Sequence, residues 1–86
     1  RIGGEEFMLV LPRTSLSEGR DIVERLLQRV RLSRPLADFP DFSYSCSAGM
    51  TAYRTAESAD DIFTRADQAL YAAKEKGRDR LLAVTV

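Results

Sequence analysis

Arg1-Ile2-Gly3-Gly4-Glu5-Glu6-Phe7-Met8-Leu9-Val10-Leu11 joins a Gly-Gly turn, two adjacent carboxylates and an unbroken apolar run closed by Pro12. Two successive glycines allow φ > 0 and let the backbone approach a bulky anionic ligand with no side chain between them. The apolar run predicts a strand over residues 7–11, covered on both faces. Two carboxylates beside the turn suit Mg²⁺, which takes oxygen ligands and is held by one or two protein carboxylates together with substrate phosphates. Turn, acids and strand together predict a nucleotide-phosphate site on the lip of a sheet.

Beyond Pro12, Ser15-Leu16-Ser17-Glu18 fits a capping box with Ser15 as N-cap. Ile22, Val23, Leu26, Leu27 and Val30 follow at helical spacing, opposite Arg20, Glu24, Gln28 and Arg31, so a helix is predicted to end near Leu32. Pro35 and Pro40 bracket a loop. Phe42, Tyr44, Cys46, Ala48, Met50 and Ala52 then alternate with Ser43, Ser45, Ser47, Gly49, Thr51 and Tyr53. That period of two predicts a strand over 42–53 with one apolar face, Cys46 being a small core residue on it. Ser58 is the N-cap of a second helix, with Asp60 and Asp61 favourable against its dipole. Its stripe is Ile62, Phe63, Ala66, Ala69, Leu70 and Ala73, Tyr71 packs beside it, and Gly77 stops it. Residues 81–86 read as a last strand. The order strand, helix, strand, helix, strand is that of a small α/β chain with crossover helices.

Composition narrows the chemistry. Eighty-six residues allow one small domain, of a size that buries only a modest share of its unfolded surface, and 44% hydrophobic with 30% charged content is ordinary for a globular chain. Thirteen basic and thirteen acidic side chains cancel, so no net field draws the chain to a nucleic acid polymer or an anionic membrane. With no histidine, imidazole-based triads and imidazole metal ligands are excluded, leaving oxygen as the metal donor. The single Cys46 forms no internal disulfide, which suits a cytoplasmic setting. No signal peptide or apolar run of membrane-spanning length occurs; a membrane anchor of the parent would lie outside this segment.

The motif Arg-x-Gly-Gly-Glu-Glu-Phe resembles the signature of the GGDEF family, the diguanylate cyclases. The stretch Ala66-Asp67-Gln68-Ala69-Leu70-Tyr71-Ala72-Ala73-Lys74-Glu75-Lys76-Gly77-Arg78-Asp79-Arg80 is similar to the family's closing helix and basic turn. The resemblance covers the whole chain but only the C-terminal half of the family's domain. It implies an α+β palm-type, nucleotidyl-cyclase-like fold, of which residues 1–86 supply an incomplete β-α-β-α-β portion. The expected sheet is mainly antiparallel and flanked by helices. A strand from the absent N-terminal half would lie between the strands at 7–11 and 42–53. Without it both would carry unpaired edges and an uncovered apolar face, so the 86-residue chain is expected not to be self-sufficient as a monomer.

The same resemblance implies function residue by residue. The intact domain condenses two GTP into cyclic di-GMP and two pyrophosphates with Mg²⁺ or Mn²⁺, two domains meeting as a homodimer, under an upstream sensory or receiver domain. Glu5 and Glu6 are the catalytic candidates. Glu5 binds metal and helps deprotonate the attacking 3′-hydroxyl, and Glu6 fixes the turn or supports the site from behind. Gly3 and Gly4 bring backbone amides against bound GTP. Lys74 and Arg78 contact the terminal phosphates, as point charge and planar fork, and also complement the helix C-terminus. Arg25 is either a solvated helix-face residue or a secondary product-inhibition contact. The main inhibitory motif, Arg-x-x-Asp, would precede Arg1. Asp79 stands where the family usually has Asn, placing one more negative charge near the phosphates. The segment alone is expected to be inactive. The alternative is a non-catalytic GGDEF domain acting as a nucleotide sensor or partner-binding module.

Overall fold

The computed structural model describes residues 4–84; Gly3 of the turn and the last two positions of the 81–86 strand lie outside the described residues. The elements run α1 (Leu16–Leu32), β1 (Ala48–Thr51), α2 (Ala59–Glu75) and β2 (Leu81–Val84). Both helices start where their caps dictate. In α1 the Glu18 amide donates to Ser15 Oγ at 3.0 Å, and the Ser15 amide donates to Glu18 Oε1 at 3.1 Å. In α2 the Asp61 amide donates to Ser58 Oγ at 3.1 Å and the Ser58 amide to Asp61 Oδ2 at 3.3 Å. Each box satisfies two orphan backbone donors of a first turn.

The sheet differs from the expected one. β1 and β2 pair in parallel, with Ala48 opposite Leu81 and Thr51 opposite Val84. The connection explains the direction: α2 carries the chain back along the sheet, and strands joined by such a crossover run the same way. The antiparallel expectation is therefore corrected. Nor do residues 7–11 form a strand. Only Glu6 makes an isolated bridge, and 7–11 run on without ladder partners among the described residues. β-rich composition without a neighbour to hydrogen-bond does not make a strand. The 42–53 strand shrinks for the same reason to Ala48–Thr51, the length that β2 can pair. Cys46, expected in the core, is exposed, and Tyr71 is 66% exposed rather than packed.

The core is thin. Val23 and Leu27 of α1 pack with Leu81 of β2, with Ala48 and Met50 of β1 against them, and Ala69 and Ala73 of α2 are buried. Ile22, Leu26 and Phe63, all on predicted apolar stripes, stay largely open to solvent. So do Phe7 and Val10, at 70% and 76% exposure. The chain measures 50 × 23 × 23 Å with a radius of gyration of 14.2 Å, against about 12 Å for a compact domain of this length. Met8 and Leu9, between Phe7 and Val10, are also exposed, at 50% and 60%.

α2 lies close against β1 at Gly49. A Cβ added at Gly49 would lie 2.1 Å from the Leu70 nitrogen and 2.4 Å from the Ala66 carbonyl oxygen, both backbone atoms of α2. Helix and strand touch main chain to main chain, and only glycine leaves room for that. Gly49→Ala must push α2 off the sheet. The expected cost is about 3 kcal/mol, read as faster hydrogen exchange of β1 and α2 amides, whereas an unchanged exchange pattern would contradict this packing.

Candidate functional site

The turn at Gly4–Glu6 and the end of α2 meet. Gly4 takes φ +36° in the turn, Glu5 is exposed on it, and the Glu6 carboxylate Oε2 stands 3.5 Å from Lys74 Nζ. Residues 68 apart in sequence thus share one surface, the Glu6 and Lys74 side chains remaining 42% and 38% exposed. An ion pair that open contributes little stability, at most about 1 kcal/mol. Its interest is placement: a carboxylate from the turn and an ammonium from α2 border the same space.

Arg78 belongs to this region through the helix end. α2 closes with the Arg78 amide donating to the Ala73 carbonyl at 3.0 Å and the Gly77 amide to the Lys74 carbonyl at 3.3 Å. This is the paired 6→1 and 5→2 pattern that ends helices on a left-handed glycine, here Gly77 at φ +116°. The left-handed turn continues through Arg78 (φ +64°) and Asp79 (φ +50°). Arg78 keeps its guanidinium exposed, with Nη1 3.5 Å from the Lys74 carbonyl oxygen. Lys74 and Arg78 therefore leave the same end of α2, the Lys74 ammonium shared with Glu6 and the Arg78 guanidinium without an acidic partner among the described residues.

Asp79 lies in the basic turn beside Arg78. Its carboxylate does not stand unpaired near the basic turn: Arg31 of α1 donates from Nε to Asp79 Oδ1 at 2.7 Å and from Nη2 to the Asp79 carbonyl at 3.1 Å. The Asp79 amide donates to Ser47 Oγ at 3.1 Å. Neither Arg31 nor Ser47 was singled out by sequence, since Arg31 lies on the polar face of α1 and such arginines are ordinarily solvated. Arg25 stays on its own helix, its Nε donating to the Asp21 carbonyl at 3.4 Å.

A second unforeseen cluster ties the far end of β1. Arg65 of α2 donates to Glu57 through two nitrogens, to Thr51 Oγ1 at 2.6 Å and to the Ala52 carbonyl at 2.8 Å. Thr51 Oγ1 in turn donates to the Val84 carbonyl at 2.9 Å. The Arg65 hydrogen bonds hold the Glu57 carboxyl down to about 2, against an ordinary 4.5. The side chains are only 13% and 15% exposed. This cluster braces the loop between β1 and α2 and carries no free chemical group.

The donor chemistry of the turn suits a hard cation, with oxygen ligands from two carboxylates and no histidine. Among the described residues no three acidic side chains gather as a cation site, so Glu5 and Glu6 fit a metal only with further ligands, such as substrate phosphates. Among the described residues, too, no helix is long and apolar enough to cross a membrane.

Residues 1–80 match the family described as diguanylate cyclase, GGDEF domain. The chain belongs to that family. It is 48% identical over 81 residues to diguanylate cyclase DgcP of Pseudomonas aeruginosa, covering 94% of this chain and 12% of the relative. It is 42% identical over 84 residues to diguanylate cyclase DgcM of Escherichia coli K12, covering 96% and 20%. With diguanylate cyclase A of Treponema denticola it shares 38% identity over 82 residues, covering 94% and 22%. The chain thus spans between 12% and 22% of the length of these curated relatives.

Because the Glu57 carboxyl is held below its ordinary value, it contributes stability that is present above about 4.5 and lost as pH falls toward about 2. Glu57→Gln should start less stable at neutral pH and lose less across that window than the parent chain. Acid titration followed by far-UV circular dichroism checks this; identical acid profiles for the two would contradict the assigned role.

Proposed function

We propose that residues 1–86 are the C-terminal portion of a single GGDEF domain whose intact form condenses two GTP into cyclic di-GMP and two pyrophosphates. The observation that supports this reading best is the approach of Glu6 to Lys74, which puts the acidic turn beside the basic end of α2. A nucleoside triphosphate with its metal needs both signs of charge within one ligand's length, and family membership supplies the chemistry that joins them. The palm-type architecture belongs to the same proposal. The exposed apolar residues 7–10 then form a surface for strands of the domain's N-terminal half.

In this mechanism the backbone amides of Gly3 and Gly4 lie against phosphate oxygens, a contact that any side chain there would block. Lys74 and Arg78 grip the terminal phosphates, holding the α-phosphorus for in-line attack and neutralising the departing pyrophosphate. Glu5 would hold the metal, and its carboxylate accepts the 3′-hydroxyl proton as the new O–P bond forms and the bond to pyrophosphate breaks. Bound Mg²⁺ or Mn²⁺ supplies charge neutralisation at the phosphates and a more acidic hydroxyl. Glu6, paired with Lys74, keeps the turn and α2 in register. Each GTP attacks the other, so two domains meet face to face as a homodimer, and positioning accounts for most of the rate. The segment by itself is inactive in this reading, being short of the domain's other half. An upstream sensory or receiver domain governs that encounter. GTP as substrate and a free, exposed Cys46 suit the reducing cytoplasm.

Glu5→Gln in the full-length protein should lower cyclic di-GMP formation by about a hundredfold or more while leaving it folded, measured as product formed from GTP with Mg²⁺. Unchanged turnover would overturn the assignment.

A further inference from the structure

Three residues in a row at the end of α2 hold positive φ, and two of them, Arg78 and Asp79, are not glycine. A left-handed conformation brings the Cβ of an ordinary L-residue too close to the following carbonyl oxygen, so a turn of this kind persists only when its surroundings hold it. Asp tolerates the region better than most residues, and Arg does not share that tolerance. What holds the turn is visible. Arg31 reaches from α1 and grips Asp79 at two points, the carboxylate at 2.7 Å and the main-chain carbonyl at 3.1 Å. Gln28, one turn earlier on α1, accepts from Arg31 Nη1 at 3.1 Å and so steadies the guanidinium. Ser47, at the threshold of β1, accepts the Asp79 amide at 3.1 Å. Both backbone polar groups of Asp79 are thereby engaged from two other parts of the fold, and its neighbour Arg78 is set in place as a consequence.

We infer that Arg31 is a positioning residue for the phosphate grip: by fixing Asp79 it holds Arg78 in the left-handed turn from which its guanidinium meets the terminal phosphates of the nucleotide. This rests on the reading of Arg78 as a phosphate contact. It also gives Asp79 a role of its own. The carboxylate is engaged by Arg31, so the departure from the family's usual Asn adds no free negative charge to the phosphate site. An Asn at this position would keep an oxygen for Arg31 Nε, so Asp79→Asn should be mild, whereas Asp79→Ala removes the acceptor.

The test is a double-mutant comparison in the full-length protein, using GTP turnover with Mg²⁺ and equilibrium binding of a non-hydrolysable GTP analogue and of GMP. Arg78→Ala should weaken the analogue roughly tenfold or more. Arg31→Met should raise KM for GTP and weaken the analogue by about three- to fivefold, the size a half-exposed ion pair can transmit. It should leave kcat and GMP binding nearly unchanged, since GMP lacks the terminal phosphates. Asp79→Ala should behave likewise, which keeps the test open if Arg31→Met folds poorly. In the Arg78→Ala background, Arg31→Met should add nothing. Equal losses for the analogue and GMP, a fall in kcat with unmoved KM, or full additivity with Arg78→Ala would each overturn the inference. If Arg78→Ala itself left the analogue's affinity intact, the phosphate reading would fail first and this inference with it.

Discussion

The placement of the candidate site residues depends on one steric fact: α2 lies on β1 with no side chain between them at Gly49. The Leu70 nitrogen and the Ala66 carbonyl occupy space that any Cβ at position 49 would need. The small residues Ala66, Ala69 and Ala73 extend the same close seat along the helix, Ala69 and Ala73 being buried. From that seat follow the direction of β2, which α2 delivers parallel to β1, and the position of the basic turn between α2 and β2. Lys74 and Arg78 are where they are because a strand and a helix can touch backbone to backbone.

That seat has little apolar packing to support it. Leu27, at 2% exposure the best-buried large side chain of the core, supplies about 1.5–3 kcal/mol by leaving water, and few others join it. Polar connections take over at the margins. Arg65 bridges Glu57, Thr51 and Ala52 at one end of the sheet, and Arg31 bridges α1 to Asp79 at the other. Each connection is modest in energy, but each is multivalent and joins elements distant in sequence. They therefore constrain geometry more than they add stability.

The helices and their ends were legible in the sequence because their signals are local. Ser15 with Glu18 and Ser58 with Asp61 carry capping information within four residues, and Gly77 needs only its own φ to end α2. The sheet was not legible in the same way. The alternation over 42–53 is real, yet a strand exists only where a neighbour hydrogen-bonds to it, and β2 offers four residues of pairing. Residues 7–11 have the composition of a strand and no partner among the described residues. The antiparallel expectation came from resemblance, whereas the crossover α2, itself plain in the sequence, makes β1 and β2 parallel. At the candidate site, the long-range meetings of residues were not readable. Nothing local in Arg31 or Asp79 announces a contact across 48 positions, nor in Glu6 and Lys74 one across 68.

The central claim is that the turn around Gly4–Glu6 and the end of α2 around Lys74–Arg78 form one nucleotide site. The most direct measurement is residue-resolved NMR of the full-length protein titrated with a non-hydrolysable GTP analogue and Mg²⁺. The account predicts that amides of both segments shift together along a single binding curve, with Mn²⁺ in place of Mg²⁺ broadening the Glu5 region most. Shifts confined to one segment, or two segments following different curves, would contradict it.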